Sequence, residues 1–174
     1  MPEIYQPAED SFFLNSFLVK EIRELKQKKI LDMGSGSGFQ SKTLIENGIH
    51  PENIFLSDIN KDAINNLKKE FPKSRVIESD LFKNVKDKFD LIIFNPPYLP
   101  EDKFDAGLET SGGKKGSKII NEFLKQARKH LLKNGKILIL TSSFTKGIDW
   151  MDYNRKLLGK KKIFFEELYV WELM

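Results

Sequence analysis

"ILDMGSGSGFQSKTLIENG", residues 30–48, runs from apolar positions around one aspartate through three glycines at every second place, then into a helical pattern with a glycine stop. A short strand that turns through Gly34, Gly36 and Gly38 into a helix is the opening of a βαβ unit. Glycines at such a turn let backbone approach a ligand closely and leave the amides of the helix start facing it. The spacing argues against two phosphate-binding readings. Counted from Gly34, a dinucleotide fingerprint needs its third glycine where Phe39 stands. "SGGKKGSK" at 111–118 lacks the lysine and hydroxyl that must directly follow the second glycine of a nucleoside-triphosphate loop.

Outward from this turn, short apolar runs alternate with helical patterns. They predict strands at 29–33, 53–57, 75–78, 89–94 and 136–141 in an α/β fold with a mainly parallel sheet. Asn60 is the expected N-cap of a helix whose apolar stripe is Ala63, Ile64, Leu67 and Phe71. A second helix is predicted from 117, with Ile120, Phe123, Leu124, Ala127 and Leu131 on one face. Lys129, His130, Lys133 and an Asn-Gly pair give it a basic last turn and a stop. Ahead of the first strand, "AEDSFFLNSFLVKEIREL" predicts an amphipathic helix capped by Asp10 or Ser11. The tail "KKKIFFEELYVWEL" predicts an antiparallel edge hairpin beside 136–141, divided at Glu166 and Glu167. With no linker or composition shift, the expectation is one domain over 1–174.

The absence of cysteine in 174 residues excludes thiol catalysis, thiolate metal sites and disulfides. No metal site is expected, and neither His50 nor His130 belongs to a recognisable motif. The longest apolar runs, "LIIF" and "ILIL", are far too short to span a bilayer, and the first residues lack a secretory pattern, so the expectation is a cytoplasmic protein. A net charge of +4 falls short of a dedicated nucleic-acid surface, and the lysine runs at 26–29 and 160–162 read as solvated faces.

Against that basic background three acids gather at the carboxyl ends of the predicted strands, where open α/β sheets bind ligands: Asp32, Asp58 and Asp80. Asp58, about twenty residues beyond the glycines, suits the two hydroxyls of a ribose. Several carboxylates favour a ligand carrying an ammonium and a sulfonium over a pyrophosphate, because like charges repel. S-adenosylmethionine has that charge pattern.

"FDLIIFNPPYLP", residues 89–100, brings a fourth strand into the same cleft and ends it on Asn95, Pro96, Pro97 and Tyr98. A carboxamide offers one acceptor oxygen, and each proline removes a donor while leaving its carbonyl. Asn95 Oδ1 and the Pro96 carbonyl can together hold an NH2 group, with the Tyr98 ring packed on the planar group that carries it. Such a site suits direct methyl transfer from a sulfonium to a weakly nucleophilic planar nitrogen, driven mainly by positioning and exclusion of water.

"LDMGSGSG", Asp58, Asp80 and "NPPY", in this order, resemble the amino-group-directed class I S-adenosylmethionine-dependent methyltransferases. "YQPAEDSFFL" at 5–14 further resembles the HemK family of protein glutamine N5-methyltransferases, in its short archaeal and eukaryotic branch. The resemblance implies a Rossmann-like, doubly wound sheet of the seven-stranded type, although the terminal strands look abbreviated. It implies that residues 1–28 form a cofactor-covering segment and helix, with Tyr5, Pro7, Glu9 and Ser11 over the cofactor. Asp32, Gly34, Ser35, Gly36, Asp58 and Ile59 would bind it, Asn95 would border it, and Asp80 with Leu81 would approach the adenine.

The implied substrate is the glutamine in the Gly-Gly-Gln loop of a peptide chain release factor, held by Asn95 and Pro96 beside Pro97 and Tyr98. Some members of the branch resemble lysine methyltransferases, and several work with a small zinc-binding activator subunit. "NPPY" alone is shared with adenine-N6 and other nucleic-acid methyltransferases, which stays open as the alternative. Two further expectations concern surfaces. The Gly/Lys-rich stretch 109–118, with Lys114 and Lys115, would border the substrate, and an edge strand at 75–78 would pair with an activator.

Overall fold

The structure is a computed structural model that describes residues 5–100 and 115–174. Chain stretches that are apolar on both sides can bury themselves only in strands covered on two faces. They form β1 (Ile30–Met33), β2 (Ile54–Asp58) and, past the more exposed edge strand β3 (Arg75–Glu78), β4 (Phe89–Phe94) and the later part of β5 (Leu131–Ser142), all paired in parallel. β6 (Arg155–Ile163) and β7 (Glu166–Leu173) form an antiparallel hairpin whose β7 arm lies against β5. The seven-stranded sheet runs β3-β2-β1-β4-β5-β7-β6, the Rossmann-like class I methyltransferase arrangement with an antiparallel edge.

Alternation along the strands divides the core. Ile30, Ile54, Leu91 and Leu138 face a layer built by α1 (Glu9–Leu25), α2 (Phe39–Glu46) and α3 (Lys61–Glu70). Leu31, Phe55, Ile92 and Ile137 face α4 (Lys118–Ala127), Phe82 and Tyr153. Each fully buried aliphatic side chain contributes about 1.5–3 kcal/mol by leaving water, so these two layers carry the fold. α3 is capped as its sequence predicts: Asn60 Oδ1 accepts from the Asp62 and Ala63 amides at 2.9 and 3.5 Å.

α1 begins at Glu9 with no side-chain cap, so Asp10 and Ser11 are freed from capping and sit buried in its first turn. The helix is clipped to the sheet by Lys136, which lies 2.8 Å from both Glu21 and Glu172. It also presses on Gly159, where a Cβ would fall 2.6 Å from the Phe17 ring, and the β6–β7 register shifts there.

Three expectations need correction. The helix predicted to continue past 131 ends at Ala127 and is followed by one 3-10 turn, after which Leu131 pairs with Phe89 as part of β5. Gly135 is a point of close approach rather than a helix stop, since a Cβ there would lie 2.6 Å from the Phe89 carbonyl oxygen. The terminal hairpin turns at Phe164 and Phe165, with Glu166 and Glu167 already in β7, and its strands of nine and eight residues are not abbreviated. Among the described residues no helix is long and apolar enough to cross a membrane.

Candidate active site

β1 and β4 are neighbours, yet their other partners lie on opposite sides, β2 next to β1 and β5 next to β4. A crevice opens at the carboxyl ends of strands at such a reversal. Met33 is paired with Phe94, so the glycine loop and Asn95 leave the sheet at one level. A cavity of about 570 Å³ lies between them, roofed by Tyr5 and Pro7 and reached by Asp10 and Ser11. That volume lies within the range of small-molecule sites.

The loop owes its shape to its glycines and one serine. Gly34, Gly36 and Gly38 take φ of 62, 53 and 77, and a Cβ on Gly38 would sit 2.4 Å from the Phe71 ring. Ser35 Oγ donates to the Asp32 carbonyl at 2.7 Å, and the Ser35 amide donates to the Ser57 carbonyl at 3.0 Å. The Asp58 carboxylate accepts from the Gly36 amide at 2.8 Å and from the Asn60 amide at 2.8 Å, which fixes it at the cavity wall. Next to it Ile59 is 66% exposed and lines the cavity, an apolar surface that a planar ring can cover.

Asp32 is buried beneath the loop and accepts from the Ser41 hydroxyl at 2.7 Å and the Ser41 amide at 3.2 Å. Loss of hydration pushes its carboxyl up to about 7, against the pull of the two Ser41 bonds and with a small push from Asp58. A cation in the cavity would restore the charged form.

On the opposite wall Asn95 Nδ2 donates to Asp10 Oδ2 at 3.1 Å and lies 3.4 Å from Ser11 Oγ. Turning the amide over would set its oxygen against the Asp10 carboxylate, so these two acceptors decide which way it faces. Asn95 Oδ1 is buried and has no hydrogen-bond partner among the described residues. Asp10 also accepts from Tyr5 Oη at 2.8 Å and from Tyr98 Oη at 3.3 Å. Burial first, and then the Asp10 charge, pushes both phenols far above their ordinary range, which keeps them protonated as donors. The Tyr98 backbone is braced in turn. Its carbonyl accepts from Thr145 Oγ1 at 3.1 Å, and Gly116 packs so closely that a Cβ would lie 2.3 Å from the same oxygen.

Of the residues expected from sequence, Tyr5, Pro7, Ser11, Asp32, Gly34, Ser35, Gly36, Asp58, Ile59, Asn95, Pro96, Pro97 and Tyr98 meet at the cavity. Glu9, Asp80 and Leu81 are not among its lining residues. Glu9 points away from the inward face of α1 and pairs with Lys161 of β6. Asp80 is held 2.6 Å from Lys83 Nζ in an exposed turn, in which Leu81 takes φ 48. Sequence reasoning missed Asp10, which it treated only as a helix cap, and Gln40, whose Nε2 ties α2 to the Ser11 carbonyl at 3.0 Å. The signal for Asp10 was its place beside Ser11 on the buried face of an amphipathic helix. The expectation for 109–118 falls largely on residues 101–114, outside the described residues.

Comparison with known proteins agrees with this architecture. The methyltransferase small domain model matches residues 14–162. The "Putative protein N5-glutamine methyltransferase" of Methanocaldococcus jannaschii is 36% identical over 99% of this chain and 93% of its own length. Mouse methyltransferase HEMK2 is 30% identical over 80% of this chain and 72% of its own. A solved structure of the E. cuniculi Mtq2–Trm112 complex, responsible for methylation of the eRF1 translation termination factor, covers 97% of this chain and 96% of the matched one. Its TM-score is 0.74 at 22% identity, a likeness of fold. A strand–glycine loop–helix turn, acids at two strand ends and an amide-bearing "NPPY" thus occur in a chain that belongs to the methyltransferase small domain family, within its HemK branch, and is a class I S-adenosylmethionine-dependent methyltransferase.

Proposed function

We propose that this chain methylates the side-chain nitrogen of the glutamine in the Gly-Gly-Gln loop of a peptide chain release factor. One observation carries the reading: Asn95 lines the cavity, and its buried carboxamide oxygen, Oδ1, stands without a partner among the described residues while its own NH2 is tied to Asp10 and Ser11. An unpaired buried acceptor is unfavourable in the free protein and is satisfied by a ligand N–H. Followed by Pro96 and Pro97, which have no amide hydrogen to offer, it selects for a group that donates. The glutamine named in the M. jannaschii relative and the termination factor named for the Mtq2 complex support the same substrate.

The residues present fit S-adenosylmethionine. Asp58 would take the ribose hydroxyls, Ile59 would cover one face of the adenine, and Gly34, Ser35 and Gly36 would let the backbone close in. Asp32 would balance the charge of the amino-acid end, with Tyr5, Pro7 and Ser11 above it. The cofactor when bound supplies an electrophilic methyl group. The protein's own part is to fix the acceptor. Asn95 Oδ1 and the Pro96 carbonyl accept the two N–H bonds of the carboxamide and stop its rotation. The Tyr98 ring packs against its plane. Asp10, one hydrogen bond behind, holds both Asn95 and Tyr98, and its charge makes Asn95 Oδ1 a stronger acceptor. Positioning of this kind supplies much of a methyl-transfer barrier.

A small activator subunit would pair with the outer edge of β3, the outermost strand on the side opposite the hairpin, where the Glu78 carbonyl accepts from Asn84 Nδ2 at 2.8 Å. Action on a translation factor would place the protein in the cytoplasm. Asn95→Ala tests the reading: it should keep cofactor binding and lose methyl transfer to the release factor. Retained transfer would remove the proposed role of the amide.

A further inference from the structure

The β6–β7 hairpin ends on two aromatic side chains that pack on nothing. Phe164 and Phe165 are 88% and 90% exposed, the two most exposed large apolar residues described. Phe164 also takes φ 43, in the left-handed region that two-residue hairpin turns reserve for glycine or asparagine. Both choices are unfavourable for an isolated turn, since a bulky side chain is strained at positive φ and bare aromatic surface invites association. Departures from local rules of this kind concentrate at functional positions.

The tip stands beside the acceptor side of the cavity. β7 runs antiparallel to β5, so the turn lies at the end of the sheet where the parallel strands open their crevice. Glu166, the next residue, accepts a hydrogen bond from Ser142 Oγ, and its charge acts on the hydroxyls of both Tyr98 and Tyr5. The Ser143 amide donates to the Glu167 carbonyl at 2.8 Å, while Thr145 two residues on holds the Tyr98 carbonyl. Lys161 pairs with Glu9 at the start of α1. The hairpin end is therefore fastened on one side to the "NPPY" turn and on the other to the segment that roofs the cavity. Ser143, Lys162, Phe164, Phe165, Glu166 and Glu167 frame a groove there.

We infer that Phe164 and Phe165 are a substrate clamp: they insert into an apolar depression on the protein that carries the glutamine loop, next to that loop, and so select a folded protein over a free side chain. The inference rests on the proposed function, because the tip lies at the end of the sheet from which a protein would present its glutamine to Asn95. Paired aromatic anchors beside charged residues are the usual composition of an interface hot spot. Glu166 and Lys162 form the polar border, and the two paired strands fix the backbone that carries the rings, so that only the side chains order on contact.

The test is steady-state methyl transfer by the full chain, with its activator if one co-purifies, to a purified release factor. Wild type is compared with Phe164→Ser/Phe165→Ser and with Phe164→Gly/Phe165→Ser, which relieves the positive φ and guards against misfolding. Binding of S-adenosylhomocysteine, melting temperature and oligomeric state are followed in parallel. The expected result is a KM for the factor raised about tenfold or more, with kcat at saturation and cofactor affinity kept. An unchanged KM in both variants overturns the clamp, as does a fall in kcat alone. An unchanged KM with loss of a dimer assigns the tip to a second copy of the chain instead, and also overturns it. If wild type itself transfers no methyl to the factor, the proposed substrate falls first and the clamp with it.

Discussion

Asp10→Ala removes the acceptor shared by Asn95 Nδ2, Tyr98 Oη and Tyr5 Oη, at 3.1, 3.3 and 2.8 Å. Asn95 Nδ2 then keeps only Ser11 Oγ at 3.4 Å, too long to decide which way the amide faces. A hydrogen bond to a charged partner is worth about 1.5–3 kcal/mol. If that energy holds Asn95 Oδ1 toward the substrate nitrogen, its loss should lower kcat roughly 10- to 150-fold, at about 1.36 kcal/mol per factor of ten. The assay is transfer of labelled methyl to a release factor under saturating cofactor, with Asn95→Ala and the double variant alongside. Residues that act as one unit do not add, so the double variant should be no slower than Asn95→Ala. Effects that multiply would refute the reasoning, because Asp10 would then act through Tyr98 or Tyr5 and not mainly through Asn95. So would an Asp10→Ala enzyme within about twofold of wild type.

Further predictions concern the rest of the site and the fold. Raising the Asp32 carboxyl from 3.8 to about 7 corresponds to roughly 4 kcal/mol. Its folded-state value lies above the unfolded one, so the protonated form favours folding, and stability should fall between about pH 4 and pH 7 and level off above. Asp32→Asn should abolish that decline in pH-dependent melting. If the ionised carboxylate receives the amino-acid end of the cofactor, S-adenosylhomocysteine affinity should rise with pH up to about 7 in wild type and stay flat in the variant, as calorimetry would show. Gly38→Ala, at φ 77 and facing Phe71, should destabilise by about 2 kcal/mol in chemical denaturation; an unchanged midpoint would mean that the loop can shift. At the β3 edge the Ser79 amide reaches the Asp58 carbonyl, so by alternation the Glu78 amide faces outward. Glu78→Pro should therefore release a co-purifying activator without lowering the melting temperature.

The sheet was legible in the sequence because its strands are short, apolar and separated by clear turn residues. β3 and β4 fall where the apolar runs place them, and β1 and β2 differ by one residue. The end of α4 was not legible. "HLLKNG" satisfies the rules for a helix stop, and only the pairing of Leu131 with Phe89, distant in sequence, turns it into strand. The cavity wall could be read where motif and strand end coincide, at Asp58 and Asn95. Asp10 escaped because local sequence offers an aspartate at a helix start one obvious job. Its real partners, Asn95 and Tyr98, lie 85 and 88 residues further along the chain, just past the end of β4. Asp80 follows β3 as its sequence places it, and what local sequence does not show is that Lys83, three residues on, pairs with its carboxylate in the exposed turn outside the lining of the cavity.

The most direct measurement is transfer of labelled methyl from S-adenosylmethionine to an intact release factor, beside a copy with the Gly-Gly-Gln glutamine replaced, structured RNA and duplex DNA. Label on the intact factor alone, lost with Asn95→Ala, is the predicted result. Label that persists on the glutamine-replaced copy, or that appears on nucleic acid, would contradict the account.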